Sequence, residues 1–185
     1  MPSISPEQLL QRTSDAGIMD ARQIESIWAE LGTLEVPLDV VTGMLLRKEL
    51  RTLMAAVNAR FSVVPGAEMT FEVNPDDINE NTAPFWLEQG INRLSIGIQS
   101  FRDEDLAWMN RAHTAAEALH GLQLIRSAGF TNYSIDLIYG VPGMDDEAWR
   151  DNLAKAIAMD VPHIPAYALT VEPKTALQSM INQGK

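Results

Sequence analysis

Residues 133–143 read YSIDLIYGVPG. β-prone residues dominate the first seven positions, and Gly140, Pro142 and Gly143 then break the run into a tight turn that leads toward a helix. Side chains alternate across a strand, so Tyr133, Ile135 and Leu137 fall on one face and Ser134 and Asp136 on the other. An unpaired buried carboxylate is costly, and Asp136 therefore requires hydrogen-bond donors. Neighbouring backbone, a lysine or arginine, or a bound ligand with hydroxyl groups would each supply them.

The same split recurs upstream. In MTFEVN, Met69, Phe71 and Val73 oppose Thr70, Glu72 and Asn74; in LSIGIQ, Leu94, Ile96 and Ile98 oppose Ser95, Gly97 and Gln99. Glu72, Gln99 and Asp136 stand near the C-terminal ends of three successive strands, at matching heights. A flat sheet covered by helices on both sides calls for two apolar faces. One apolar and one polar face suits a barrel with helices outside and ligand groups at its C-terminal mouth. A closed eight-stranded barrel fills its centre with branched apolar residues, so a polar interior containing Gly97 predicts a wider, open arc.

Helical stretches separate the strands: ENTAPFWLEQG, DEDLAWMNR, TAAEALHGLQLIRSAG and DDEAWRDNLAKAIAMD, with HIPAYALTVEP as a fourth strand. This alternation predicts right-handed crossovers and a parallel sheet. Asp103, Thr114 and Asp145 or Asp146 are candidate N-caps, and Gly90 and Gly129 candidate stops. Leu119, Leu122, Leu124 and Ile125 give the longest of these helices an apolar side. Pro165 inside the last strand removes a ladder donor and predicts an edge or a bulge. The fold class is α/β, a partial (β/α) barrel with parallel strands over 66–185. Residues 1–65 read as a helical N-terminal segment, with short helices over SPEQLLQRTSDAG and DARQIESIWAELG, a longer one from about Leu38 to Phe61, and no strand. Such a segment would cover the open barrel edge or plug its mouth.

The 185 residues are 46% apolar, enough for one ordinary core. A net charge of -11, spread along the chain, disfavours nucleic acid and anionic membranes as partners. No apolar stretch has the roughly 18–20 residues of a membrane helix, and the N-terminus lacks a secretory signal, so a cytoplasmic location is expected. The sequence contains no cysteine, which removes disulfides, thiolate nucleophiles and cysteine-held zinc or iron–sulfur clusters. His113, His120 and His163 have no metal-motif spacing and read as ordinary histidines, so no metal site is expected.

FEVNPDD (71–77), GINRLSIGIQSFRDEDLAWMNRAHT (90–114), AGFTNYSIDLIYGVPG (128–143) and YALTVEPKTAL (167–177), in order and at natural spacing, resemble the oxygen-independent coproporphyrinogen III oxidase family of radical S-adenosylmethionine (SAM) proteins. The likeness is strongest to the haem-chaperone-like branch. PSISPEQL (2–9) is similar to the segment following that family's glycine-rich turn. The resemblance implies a partial (β/α)6 barrel whose strands end around SAM. It implies that Glu72 binds the methionyl amino group, Gln99 and Asp136 the ribose hydroxyls and Arg111 the methionyl carboxylate, with Ile138 against the adenine. These residue types fit those partners. A surface ion pair is the structural alternative for Arg111.

The family holds a [4Fe-4S] cluster on a Cx3Cx2C loop, and that cluster reduces SAM; without cysteine the cluster is not expected in this chain. Residues 10–50 do not resemble the family, and Ala168 replaces a polar residue expected there. The leading expectation is therefore a truncated or remodelled relative of these haem-biosynthesis proteins, a truncated radical SAM core. It would bind SAM or a small nucleoside and perform no radical chemistry alone, with no catalytic residue assigned. Two alternatives stand beside it: a non-catalytic scaffold that pairs with a second copy along an exposed sheet edge, and an enzyme using Glu72 and Asp136 as acid and base.

Overall fold

A computed structural model describes residues 3–4, 22, 29 and 36–183. The chain divides into two compact units, Met1–Pro65 and Gly66–Lys185. In the first unit, β1 (Ser3–Ile4) pairs antiparallel with β2 (Val36–Pro37), and α1 (Leu38–Arg60) follows. The strand pair departs from the all-helical expectation: two residues a side are too short to show any period, and Pro37 has no N–H to lengthen the ladder. The two short helices expected before residue 33 lie outside the described residues, apart from helical Arg22 and Ala29.

The second unit begins with β3 (Thr70–Val73), a 3-10 turn (Pro75–Asp77), α2 (Thr82–Glu88) and β4 (Arg93–Gln99). It continues through α3 (Asp103–Trp108), α4 (Ala115–Ala128), β5 (Tyr133–Tyr139), α5 (Asp146–Ala158), β6 (Ala166–Ala168) and α6 (Ala176–Asn182). The strands form one parallel sheet in the order β3-β4-β5-β6, and helices lie in every crossover. Pro165 sits just before the edge strand β6, where its carbonyl accepts from Leu137 N at 2.9 Å and its missing donor is not needed.

Alternation in β4 is complete: Leu94, Ile96 and Ile98 are buried while Arg93, Ser95, Gly97 and Gln99 are partly open. With Val73, Ile135 and Leu137 these residues form the core, together with Ala118, Leu122 and Ile125 of α4 and Ala156 of α5. The buried stripe of α4 runs through Ala118, Gly121, Leu122 and Ile125, and Leu119 and Leu124 lie at its margins. Gly121 in that stripe faces Ile78, whose side chain would lie in van der Waals contact, 3.4 Å, with an added Cβ.

Local signals fix the helix ends. Thr114 and Glu117 form a capping box at α4, and the bonds from the Thr114 backbone and hydroxyl hold the Glu117 carboxyl below its ordinary range. Gly129 ends α4 in the left-handed region, and Asp145 caps α5. Asp103 does not cap α3. It occupies the first helical position and accepts instead from Ala115 N at 2.7 Å, so it ties α3 to the start of α4.

A buried polar knot pins the end of β4 to α5. Asn152 Oδ1 accepts from Phe101 N at 2.7 Å and Asn152 Nδ2 donates to Ser100 Oγ at 3.1 Å. Ser100 Oγ in turn donates to Asp105 Oδ2 at 2.7 Å, and Ser100, Asp105 and Asn152 are all buried. Removing Asn152 leaves the buried Phe101 N–H without its acceptor and Ser100 without one of its donors. Asn152→Ala should therefore lower unfolding stability by about 2–4 kcal/mol, measured by urea denaturation; a loss under about 0.5 kcal/mol would show the knot to be incidental.

Candidate functional site

Register places the polar side chains. Glu72 lies opposite Ser95, and Ser95 opposite Ser134, so these three share a level and a face with Asp136 two residues further along β5. Two residues of strand are about 7 Å, so Glu72 sits a step below Asp136 and not at the same height. Gln99 is level with Leu137, because β4 contains an irregularity between Ile96 and Gln99 that inserts one extra residue relative to β5. The three candidates form a staircase on one face. The bulge that sets the height of Gln99 leaves no mark in the alternation of LSIGIQ.

At Gln99 the backbone turns sharply. Its φ is +68°, and Ser100 N bonds back to Ile98 O at 2.9 Å, which makes Gln99 the centre of a three-residue γ-turn of the rare positive-φ kind. A non-glycine residue held there is strained by about 1 kcal/mol or more. The surrounding bonds over-determine it: Ser100 and Phe101 are gripped by the knot to α5, and His113 Nε2 donates to Ile98 O at 3.1 Å. His113 is thus a buried structural histidine.

The turn lays the Gln99 amide over Gly97. A Cβ added at Gly97 would lie 2.9 Å from Gln99 Nε2, 3.4 Å from Arg111 Nη2 and 3.6 Å from Asn74 Oδ1. Three polar groups from β4, the α3–α4 loop and the end of β3 therefore converge above one bare backbone position. Arg111 donates to Asn74 Oδ1 at 2.6 Å and to Gly97 O at 3.2 Å, while its Nε is buried without a hydrogen-bond partner. The guanidinium is clamped by an amide and a carbonyl, not by the ion pair that sequence left open.

Beside this cluster lies a cavity of about 470 Å³ lined by Gln99, Trp108, Met109, Asn110, Arg111, Ile138, Leu169 and Leu177. The structure thus gathers three of the sequence candidates, Gln99, Arg111 and Ile138, at the C-terminal end of the sheet. Glu72 and Asp136 stand on the adjoining polar face and are not in that lining. Burial raises the Asp136 carboxyl above its ordinary value, a bond from Ser95 Oγ at 3.3 Å lowers it, and the Glu72 charge raises it again. Glu72 is close enough for its charge to act on Asp136.

Sequence reasoning assigned no role to Arg93, Asn74 or the Trp108–Met109–Asn110 run. Arg93 was accessible by the same period that placed Ser95, two residues on. Asn74 was on the correct face, and only the Arg111 contact reveals its part. Among the described residues no group of three or more histidines and acids could hold a metal ion, and no helix is long and apolar enough to cross a membrane.

Comparison with known proteins now bears on this arrangement. The sequence pattern of the Radical SAM superfamily matches residues 4–156. The chain belongs to the radical SAM superfamily. Within it the chain is HemN-like and close to HemW. It is 31% identical over 166 residues to the heme chaperone HemW of Escherichia coli and 32% identical over 142 residues to that of Bacillus subtilis. Those alignments cover 90% and 76% of this chain, and the chain spans 42% and 38% of the two relatives. The structure of E. coli coproporphyrinogen III oxidase, HemN, a radical SAM enzyme, matches with a TM-score of 0.64 at 28% identity, over 69% of this chain and 29% of that one. The radical SAM methyltransferase TsrM of Kitasatospora setae shares the fold at 18% identity, with a TM-score of 0.61 over 76% of this chain and 28% of its own. The sheet is therefore a parallel part of a radical SAM (β/α) barrel. The curated relatives are named as heme chaperones, not as biosynthetic enzymes.

The superfamily implies SAM and a [4Fe-4S] cluster. The cluster does not fit these residues, because the sequence has no cysteine to supply thiolates. SAM does fit their chemistry: a buried guanidinium nitrogen without a partner, a carboxylate and an amide are the groups its carboxylate and hydroxyls require.

Strain at Gln99 separates structural from functional roles. Gln99→Gly should be more stable than Gln99→Ala by about 1 kcal/mol, since only glycine is relaxed at φ +68°. Equal stabilities in paired denaturation curves would mean that the γ-turn is not a strained feature.

Proposed function

We propose that this chain is a remodelled relative of the HemN-like proteins whose polar sheet face binds SAM or a closely related nucleoside. The observation that carries this reading is the meeting of Gln99, Arg111 and Ile138 in one cavity, with an unpartnered buried nitrogen on Arg111. Arg111 receives the methionyl carboxylate. Gln99 and Asp136 accept from the ribose hydroxyls, and Ile138 packs against the adenine, aided by the apolar wall of Trp108, Leu169 and Leu177. Glu72 lies a step lower and meets the amino group from that side. With no thiolates for a cluster, this chain alone holds nothing to reduce SAM, and its role is binding within a haem-related protein, not radical chemistry.

The edge strand β6, with Ala166, Tyr167 and Ala168 all exposed, favours a second reading in which this edge pairs with another copy.

Calorimetry of the chain with SAM tests the binding claim. The expected result is heat that saturates below millimolar ligand and disappears in Asp136→Ala. Binding should weaken as pH falls through the Asp136 transition, because protonation removes an acceptor. That transition lies above the ordinary aspartate value, so ionising Asp136 in the folded state costs stability that accumulates as pH rises from the ordinary value up through the transition and stays constant beyond it. Asp136→Asn should accordingly be more stable than wild type at neutral pH, with the difference closing in acid, while still binding poorly. No heat at millimolar SAM, or unchanged binding in Asp136→Ala, contradicts the assignment and leaves the edge-pairing reading.

A further inference from the structure

A row of side chains on the lower part of the polar face points in one direction. Arg93 Nη2 donates to Ser134 Oγ at 3.3 Å, Ser134 Oγ to Ser95 Oγ at 3.3 Å, and Ser95 Oγ to Asp136 Oδ2 at 3.3 Å. Arginine can only donate, so Ser134 must accept from it and has its single proton left to give. The same reasoning passes to Ser95, whose proton then points at the carboxylate. Arg93 is itself held to the β3 side of the sheet by Thr70 Oγ1 at 3.4 Å and Glu68 at 3.9 Å. Ser134 is fully buried, so water does not substitute for it readily.

We propose that Arg93, Ser134 and Ser95 form a polarised hydrogen-bond relay that holds Asp136 ionised, commits its Oδ2 to the protein and leaves Oδ1 to accept a ligand hydroxyl. Arg93 is thereby a positioning residue that acts on the site across two strands without touching the ligand. The need for it is physical: Asp136 is partly desolvated, and the Glu72 charge from β3 opposes its ionisation. Arg93 from β4 and His163 from the stretch before β6 favour ionisation, and the Ser95 bond is the largest influence that does so. Aligned donors strengthen one another in a chain of this kind, so the relay carries the influence of Arg93 to a carboxylate that it does not contact.

The ligand consequence rests on the nucleoside reading, whereas the effect on Asp136 does not. Titration of the Asp136 carboxyl carbon by NMR in the ligand-free chain tests the relay directly. Ser134→Ala removes the middle link but neither charge nor the Ser95–Asp136 bond, and it should move the Asp136 midpoint upward by roughly half a unit. Arg93→Met should move it at least as far, and Ser95→Ala further still. A midpoint in Ser134→Ala equal to that of wild type, with a shift only in Arg93→Met, would mean that Arg93 acts through space, and the relay would be overturned. In a second arm, Ser134→Ala should weaken SAM binding about threefold and raise the pH at which binding is lost. Absence of SAM binding by the wild-type chain would count against the nucleoside reading alone, since the carboxyl titration still decides the relay.

Discussion

Gly97 has no side chain, and the Gln99 amide nitrogen stands only 2.9 Å from where a Cβ would be, with the Arg111 guanidinium and the Asn74 carbonyl oxygen in ordinary contact around it at 3.4 and 3.6 Å. The bare position leaves room for the Gln99 amide beside Arg111, whose guanidinium bonds Asn74 Oδ1 at the end of β3 and Gly97 O on β4. On a parallel sheet, residues on neighbouring strands are held about 4.8 Å apart, and a bare backbone on the middle strand gives the side chains from either side room to meet. Polar atoms from separate elements thus form one surface. The cavity lined by Gln99, Arg111 and Ile138 adjoins this surface.

The geometry is expensive locally and is maintained from outside the site. Gln99 sits at φ +68° at the end of a bulged strand, a conformation that an unconstrained glutamine leaves. The buried Ser100–Asp105–Asn152 knot and the His113 bond to Ile98 O fix the residues on both sides of it. A chain from Arg93 through two serines likewise reaches Asp136 from the opposite end of the sheet face. The site is thus supported from the helix side by one network and along the sheet by another, and each is largely shielded from solvent. The similarity to HemN, at a TM-score of 0.64, extends over 69% of this chain. The cluster-binding thiolates are the element for which this sequence has no residues.

Much of this was legible in the sequence, for identifiable reasons. Strict alternation in RLSIGIQ separated the core row Leu94, Ile96 and Ile98 from the polar row, and the structure buries the former completely. Thr114, Gly129 and the Asp145–Asp146 pair announced helix ends because capping is a local interaction between residues a few positions apart. What depended on partners distant in the chain was hidden. The bulge and γ-turn at Gln99 require knowledge of the strand beside it, and so does the step in height between Glu72 and Asp136. Asn152 looks in sequence like any polar residue on α5, and its burial follows only from the docking of α5 near Ser100 and Phe101. Asp103 had the chemistry of a cap and found a different N–H, that of Ala115, because α3 and α4 fold close together. The pairing of Ser3–Ile4 with Val36–Pro37 was too short to have a period at all.

The most direct test of the account is a comparison of SAM affinity and unfolding stability in Gly97→Ala and wild type. The backbone at Gly97 is not in the positive-φ region, and the nearest obstacle is the flexible end of Gln99, so stability should change by less than about 1 kcal/mol. The added methyl displaces the Gln99 amide and crowds the Arg111 guanidinium, so affinity should fall at least about tenfold. Unaltered affinity in a stably folded Gly97→Ala chain would contradict the claim that convergence over this bare position makes the site.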